Sequence, residues 1–262
     1  MQRATRARRA RRAAVVLIVG AVAPAAVGFT QLRFLRRAEA GTAMLALDVS
    51  ESMSRDDVEP SRLDAATDAA RAFLDGLPED LAVGLVTFSG TAETLVPPTT
   101  GRDRILAALN ELPRGEGTVI GDGMTAALEA IASRWRDEGE TPAALVLLSD
   151  GRDTGSSVSP EAAAERAREL GVPVHTVVLG RDLTGEQAGA NVELMARIAE
   201  ATQGTAFTAT TAGGLLEVYQ TLQTRLSIDL AVTNLGAFFI AAAGVLAVAA
   251  TVALLVALRS EA

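Results

Sequence analysis

Cysteine and lysine are both missing from the 262 residues, and histidine occurs once. Without cysteine there is no disulfide framework, no thiolate metal site and no thiol nucleophile. Without lysine a P-loop lacks the side chain that reaches the phosphates, and a Schiff-base or pyridoxal enzyme lacks its amine. A phosphatase of the haloacid-dehalogenase type, which normally sets a lysine beside its aspartates, is excluded in its usual form. Aromatic residues make up 3% of the chain although 49% of it is hydrophobic. Mean hydropathy is positive, which implies that lipid-facing segments raise an otherwise ordinary globular average.

Every one of the 24 basic residues is therefore an arginine, and their placement is uneven. Residues 1–37 hold nine arginines and no acid, and the remainder holds 15 arginines against 32 acids, a net of about −17. So acidic a body lacks the basic stripe that releases counterions from a nucleic acid, and nucleic acid is excluded as a partner.

The basic start, residues 1–12, runs into the apolar stretch Ala13–Phe29, and Arg33, Arg36 and Arg37 close its far side. This predicts a signal anchor over 13–35, with cleavage near Ala23–Ala26 as the alternative. Residues 235–258 are uncharged over a length that spans a bilayer core, which predicts a second transmembrane helix before a short tail, 259–262. Arginine dominates at both outer flanks, so the positive-inside rule puts both ends in the cytoplasm. The expected protein is two-pass in the cell membrane, with residues 41–226 on the extracytoplasmic side.

Between the apolar segments, short apolar runs alternate with helical periodicity, the pattern of β-α units around a mostly parallel sheet. The expected strands are Ala43–Val49, Ala82–Phe88, Glu93–Val96, Ala143–Ser149, Pro173–Leu179 and Thr205–Thr208. The expected helices are Ser61–Leu77, Arg102–Glu111, Asp122–Arg136, Pro160–Leu170, Asn191–Ala201 and Ala212–Leu226. The Ser89-Gly90 break predicts a hairpin with one antiparallel edge strand. The fold class is α/β: a doubly wound, six-stranded sheet in which the other strands are parallel, flanked by the transmembrane helices.

Two strands run directly into an aspartate, Asp48 and Asp150. In a doubly wound sheet ligands bind outside the carboxyl ends of the strands at the switch point, so both aspartates fall in that crevice. Around them stand Asp48-Val49-Ser50-Glu51-Ser52, then Gly117-Thr118, then Asp150-Gly151. The hydroxyls of Ser50, Ser52 and Thr118 are hard neutral donors and the carboxylates hard anionic ones. Such a set suits octahedral Mg²⁺, or Mn²⁺ in its place, and not Zn²⁺, which takes His or Cys.

The pattern Asp-x-Ser-x-Ser, a later Thr and a later Asp-Gly resembles the metal-ion-dependent adhesion site of von Willebrand factor A domains, over residues 41–226. The chain looks like a bacterial membrane member of that family, similar to the Bat aerotolerance-type proteins, although those usually carry two apolar segments before the domain. The resemblance implies a binding module in which Asp48, Ser50, Ser52, Thr118 and Asp150 hold the metal. A partner protein would then offer an Asp or Glu to its open position, with other membrane proteins as candidate partners. An alternative is a cytoplasm-facing assembly or chaperone subunit working with an AAA+ ATPase. A metal-dependent hydrolase is disfavoured because no general base is visible beside the site. Among the neighbours, Glu51 is expected to face solvent and Asp122 to cap its own helix. Trp135 and Tyr219 are expected as packing residues, His175 in a packing or solvent-face role, and Asp56, Asp57 and Asp153 as loop residues beside the site.

Overall fold

The computed structural model describes residues 41–226 apart from 182, 184 and 185, all of them within the unit Glu39–Leu230. Both expected membrane segments lie outside the described residues. Among the described residues no helix is long and apolar enough to cross a membrane.

The strands are β1 Thr42–Asp48, β2 Ala82–Phe88, β3 Ala92–Thr99, β4 Ala143–Ser149, β5 Val174–Leu179 and β6 Ala206–Ala209. They form one sheet in the order β3-β2-β1-β4-β5-β6, in which β3 alone is antiparallel to its neighbour. The helices are α1 Arg62–Asp75, α2 Arg102–Asn110, α3 Ile120–Glu138, α4 Pro160–Glu169, α5 Glu186–Ala201 and α6 over 212–226.

Every residue of β1, β2, β4 and β5 is buried, as expected of parallel strands covered on both faces. Alternate side chains feed two separate cores. Ala43, Leu45 and Leu47 of β1 join Ala144, Val146 and Leu148 of β4 beneath α1, α2 and α6, whose Leu63, Phe73, Ile105, Leu215, Tyr219 and Leu222 complete that layer. Met44 and Ala46 join Leu145 and Leu147 on the other face, beneath Ile120, Met124, Ile131, Ala163, Ala167 and Met195. Helices change face between β1 and β4, so the switch crevice opens where those two strands end.

The departures from expectation are local. β3 extends to Thr99 through Pro97 and Pro98, because these prolines fall at an irregularity of an edge strand, between the pairs Leu85↔Val96 and Val83↔Thr99. α3 begins at Ile120, two residues early, and runs to Glu138 before Gly139 at φ 99°. α5 begins five residues early at Glu186 and runs through Gly189, where a Cβ would meet nothing within 4 Å. A single turn of 3₁₀ helix, Glu51–Ser54, was not anticipated.

Gly121, in the first turn of α3, packs against the chain entering α4. A Cβ there would lie 1.9 Å from the Val158 carbonyl oxygen and 2.9 Å from Pro160 N, both backbone atoms that cannot swing away. Gly121→Ala is expected to cost at least about 2 kcal/mol through overpacking. Gly213→Ala, with open space around the position, should be neutral or stabilising. Thermal unfolding of the full chain in detergent checks the pair, and equal melting temperatures would refute this packing.

Candidate metal centre at the switch point

Asp48 closes β1 and is completely buried. Its Oδ1 accepts the Ser50 N–H at 2.9 Å, turning the chain sharply out of the strand, and its Oδ2 accepts the Ser149 hydroxyl at 2.6 Å. Ser149 ends β4, so this second bond crosses from one central strand to the next. The turn brings the Ser50 and Ser52 hydroxyls to 3.0 Å from each other, and Ser52 Oγ donates to Asp150 Oδ1 at 2.6 Å.

The third loop enters through β2. Ser50 bridges to Gly115, and Val119 N donates to the Ser89 carbonyl at 2.7 Å. Thr118 is clamped to the loop after β4, its N–H donating to Thr154 Oγ1 at 2.8 Å and its carbonyl accepting from Thr154 N at 2.8 Å. Gly151 lies open between two of the hydroxyls: a Cβ there would sit 3.3 Å from Thr118 Oγ1 and 3.8 Å from Ser52 Oγ. The loops that follow β1 and β4 and the segment between α2 and α3 thus bring all five sequence-predicted residues to one place.

One cation belongs to this cluster, and the sequence reading missed it. Arg62, 7% exposed at the first position of α1, donates from Nε and Nη2 to the two oxygens of Asp57 at 2.7 and 2.6 Å. Its Nη1 donates to Asp150 Oδ2 at 2.5 Å, where the aspartate side chain is fully covered. A legible signal did exist: an arginine opening a helix opposes the helix dipole and needs an anion to justify it. The Asp57 pairing holds that carboxyl down at about 2, chiefly through the Arg62 hydrogen bonds, and raises the guanidinium above its ordinary value.

Asp122 does not cap its own helix. Its two oxygens accept Ser157 N and Val158 N at 2.9 Å each, while Asp153 Oδ1 takes Ile120 N and Ser156 Oγ takes Gly121 N. The start of α3 is capped from a distant loop because Val119, at the cap position, has no side-chain oxygen to offer. Glu51 is exposed, and Trp135 is partly buried against the second core. Tyr219 is fully buried, edge-on to Phe73 with ring centroids 5.4 Å apart. His175, 4% exposed, accepts Thr205 N at Nδ1 and pairs in β5 with Val146, three residues short of Ser149.

Among the described residues no group of three or more His, Cys, Asp or Glu side chains could hold a metal. The cluster at the switch point instead has a majority of hydroxyls. Two carboxylates and three hydroxyls, all oxygen and placed by three loops, fit a small hard cation and offer nothing to a thiophilic one.

Such a sheet defines a class of protein with known members. Residues 43–152 match the family model for the von Willebrand factor type A domain. A UPF0353 protein of Mycolicibacterium gilvum is 36% identical over 231 residues, 81% of this chain and 69% of the relative. Another, of Mycobacterium sp. strain KMS, is 36% identical over 203 residues, 71% of this chain, which spans 60% of that relative's length. The solved structure of an aerotolerance-related membrane protein from Bacteroides fragilis superimposes with a TM-score of 0.58 at 23% identity, covering 70% of this chain and 98% of that one. The chain belongs to the UPF0353 proteins, a family built on the von Willebrand factor type A domain.

Burial pushes the Asp48 carboxyl up from 3.8 to about 6, against the lowering effect of its bonds from Ser149 and Ser50. A carboxyl raised on folding favours the folded state while protonated. Its contribution is complete below pH 3.8 and is lost as pH rises through about 6, roughly 3 kcal/mol in all. Asp57 acts oppositely and lower, between 3.8 and about 2. In EDTA the full chain should therefore lose melting temperature between pH 4 and 6.5, and Asp48→Asn should flatten that slope. A slope unchanged by Asp48→Asn would show that another group is responsible.

Proposed function

We propose that this protein is a membrane-anchored binding module that takes Mg²⁺ or Mn²⁺ at Asp48, Ser50, Ser52, Thr118 and Asp150 and uses it to grip an Asp or Glu of a partner protein. The observation that carries the proposal is the convergence of these side chains, hydrogen-bonded from Ser50 to Ser52 to Asp150, at the switch crevice of a von Willebrand factor A fold. When bound, the ion supplies a Lewis-acidic position for a carboxylate oxygen. Asp48 brings the charge that attracts it, because both Asp48 oxygens have only neutral hydrogen-bond partners. Ser50, Ser52 and Thr118 add neutral donors, so the anionic charge at the ion stays low and an anionic partner remains welcome.

A binding role is favoured over hydrolysis because the single histidine is buried within β5, its Nδ1 accepting a backbone N–H. The extracytoplasmic placement rests on the arginine flanks of the two apolar segments. The description of the Bacteroides fragilis relative as a membrane protein agrees with an anchored domain.

Mn²⁺ titration of the full chain in detergent should give one site. Asp48→Ala should abolish it and Asp150→Ala should weaken it at least about tenfold, with normal far-UV circular dichroism. Unchanged binding in both variants would sink the assignment. Placement is tested separately: protease added to intact cells with a permeabilised outer layer should cut within 41–226, and full protection of that region would put the domain in the cytoplasm.

A further inference from the structure

The two aspartates of the crevice are electrically unlike. Asp48 has a backbone amide and a hydroxyl on its oxygens and no cation. Asp150 has the Ser52 hydroxyl on one oxygen and the Arg62 guanidinium on the other. Arg62 is not a wandering surface side chain. Asp57 grips it through two parallel bonds, and the same carboxylate accepts Arg181 N at 3.2 Å. Gly180, just past β5, leaves room for the guanidinium: a Cβ there would lie 3.2 Å from Nη2 and 3.3 Å from Cζ. Such a fork, fixed at three donors and covered, keeps its orientation at little further entropic cost.

We propose that Arg62 is a fixed counter-cation for Asp150 that holds down the domain's affinity for the divalent ion and keeps the bound ion electrophilic toward a partner's carboxylate. The inference rests on the adhesion-site reading above. With Asp150 already paired, Asp48 is the one uncompensated anion of the pair, and a 2+ ion bound there retains positive charge. Arg62 thus trades ion affinity for partner affinity. Its other anion, Asp57, works in the opposite sense by drawing part of the guanidinium's charge away from Asp150. The signs of two substitutions in one ion pair are therefore expected to differ, which a merely structural pair would not produce.

The experiment uses the full chain in detergent with Mn²⁺ and acetate as probes, and circular dichroism as the fold control. Free Mn²⁺ followed by electron paramagnetic resonance should show Arg62→Gln binding the ion roughly tenfold more tightly than the unaltered chain, and Asp57→Asn severalfold more weakly. Water-proton relaxation of the Mn²⁺-loaded chain reports displacement of bound water by acetate, and Arg62→Gln should need severalfold more acetate. Folded Arg62→Gln that binds Mn²⁺ no better than the unaltered chain overturns the proposal. Should that variant fail to fold, Asp57→Asn decides alone, with unchanged Mn²⁺ affinity overturning it. An unaltered chain that binds no Mn²⁺ at all refutes the adhesion-site reading itself, a result distinct from either of these.

Discussion

The hydrogen bond from Ser149 to Asp48 joins the ends of the two central strands across the switch point, and the arrangement of the crevice depends on it. It forms because β1 and β4 pair in one register, Leu47 beside Leu148, which sets Asp48 and Ser149 side by side as the chains leave the sheet. That register is held by apolar side chains on both faces. A slip of β1 by one residue would send Leu45 and Leu47 to the opposite core and separate the carboxylate from its hydroxyl at the same time. The hydrophobic pattern of two strands is thus also the aiming device of the site.

Holding two carboxylates in this place calls for two different solutions. Asp48 is dried by the sheet and receives only neutral donors, so its carboxyl rises toward neutrality. Asp150 is covered as thoroughly but lies against a guanidinium. A buried pair of this kind contributes little net stability, since desolvation offsets the attraction, but breaking it leaves an uncompensated charge. Its value here is orientation: Asp150 turns one oxygen toward Arg62 and the other toward the Ser52 hydroxyl.

Most of this was legible. The runs Ala43–Leu47 and Ala144–Leu148 read as buried parallel strands because both of their faces are covered, and Asp48, Ser50, Ser52 and Asp150 announced themselves by standing where such strands end. What escaped was chemistry supplied across long sequence separation. Asp122 sits where a helix cap is expected, yet the caps of α3 come from Asp153 and Ser156, more than thirty residues on. Arg62 opens a helix expected over Ser61–Leu77 and found at Arg62–Asp75, and periodicity says nothing about which anion faces its first turn. The strand expected to stop at Val96 continues through Pro97-Pro98, and the helix expected from Asn191 begins before Gly189, because tertiary context, an edge strand at one and open space at the other, tolerates residues whose local propensity is poor.

The exchanged caps bear on how a grip at the crevice would be transmitted. Asp153, Thr154 and Ser156 bond to the backbone around Thr118 and the start of α3, and Asp122 returns two bonds to residues 157 and 158. The Thr118 loop and the loop after β4 are therefore stitched into one body. The turn carrying Ser50 and Ser52 joins that body through the Ser52–Asp150 bond and the Ser50–Gly115 bridge. A pull on any hydroxyl of the cluster is shared by the two central strands, whose every residue is buried. Load then runs along the part of the domain with the most backbone pairing, where local opening is least favourable. Asp150, bonded to Ser52 on one oxygen and to Arg62 on the other, ties the start of α1 into the same body.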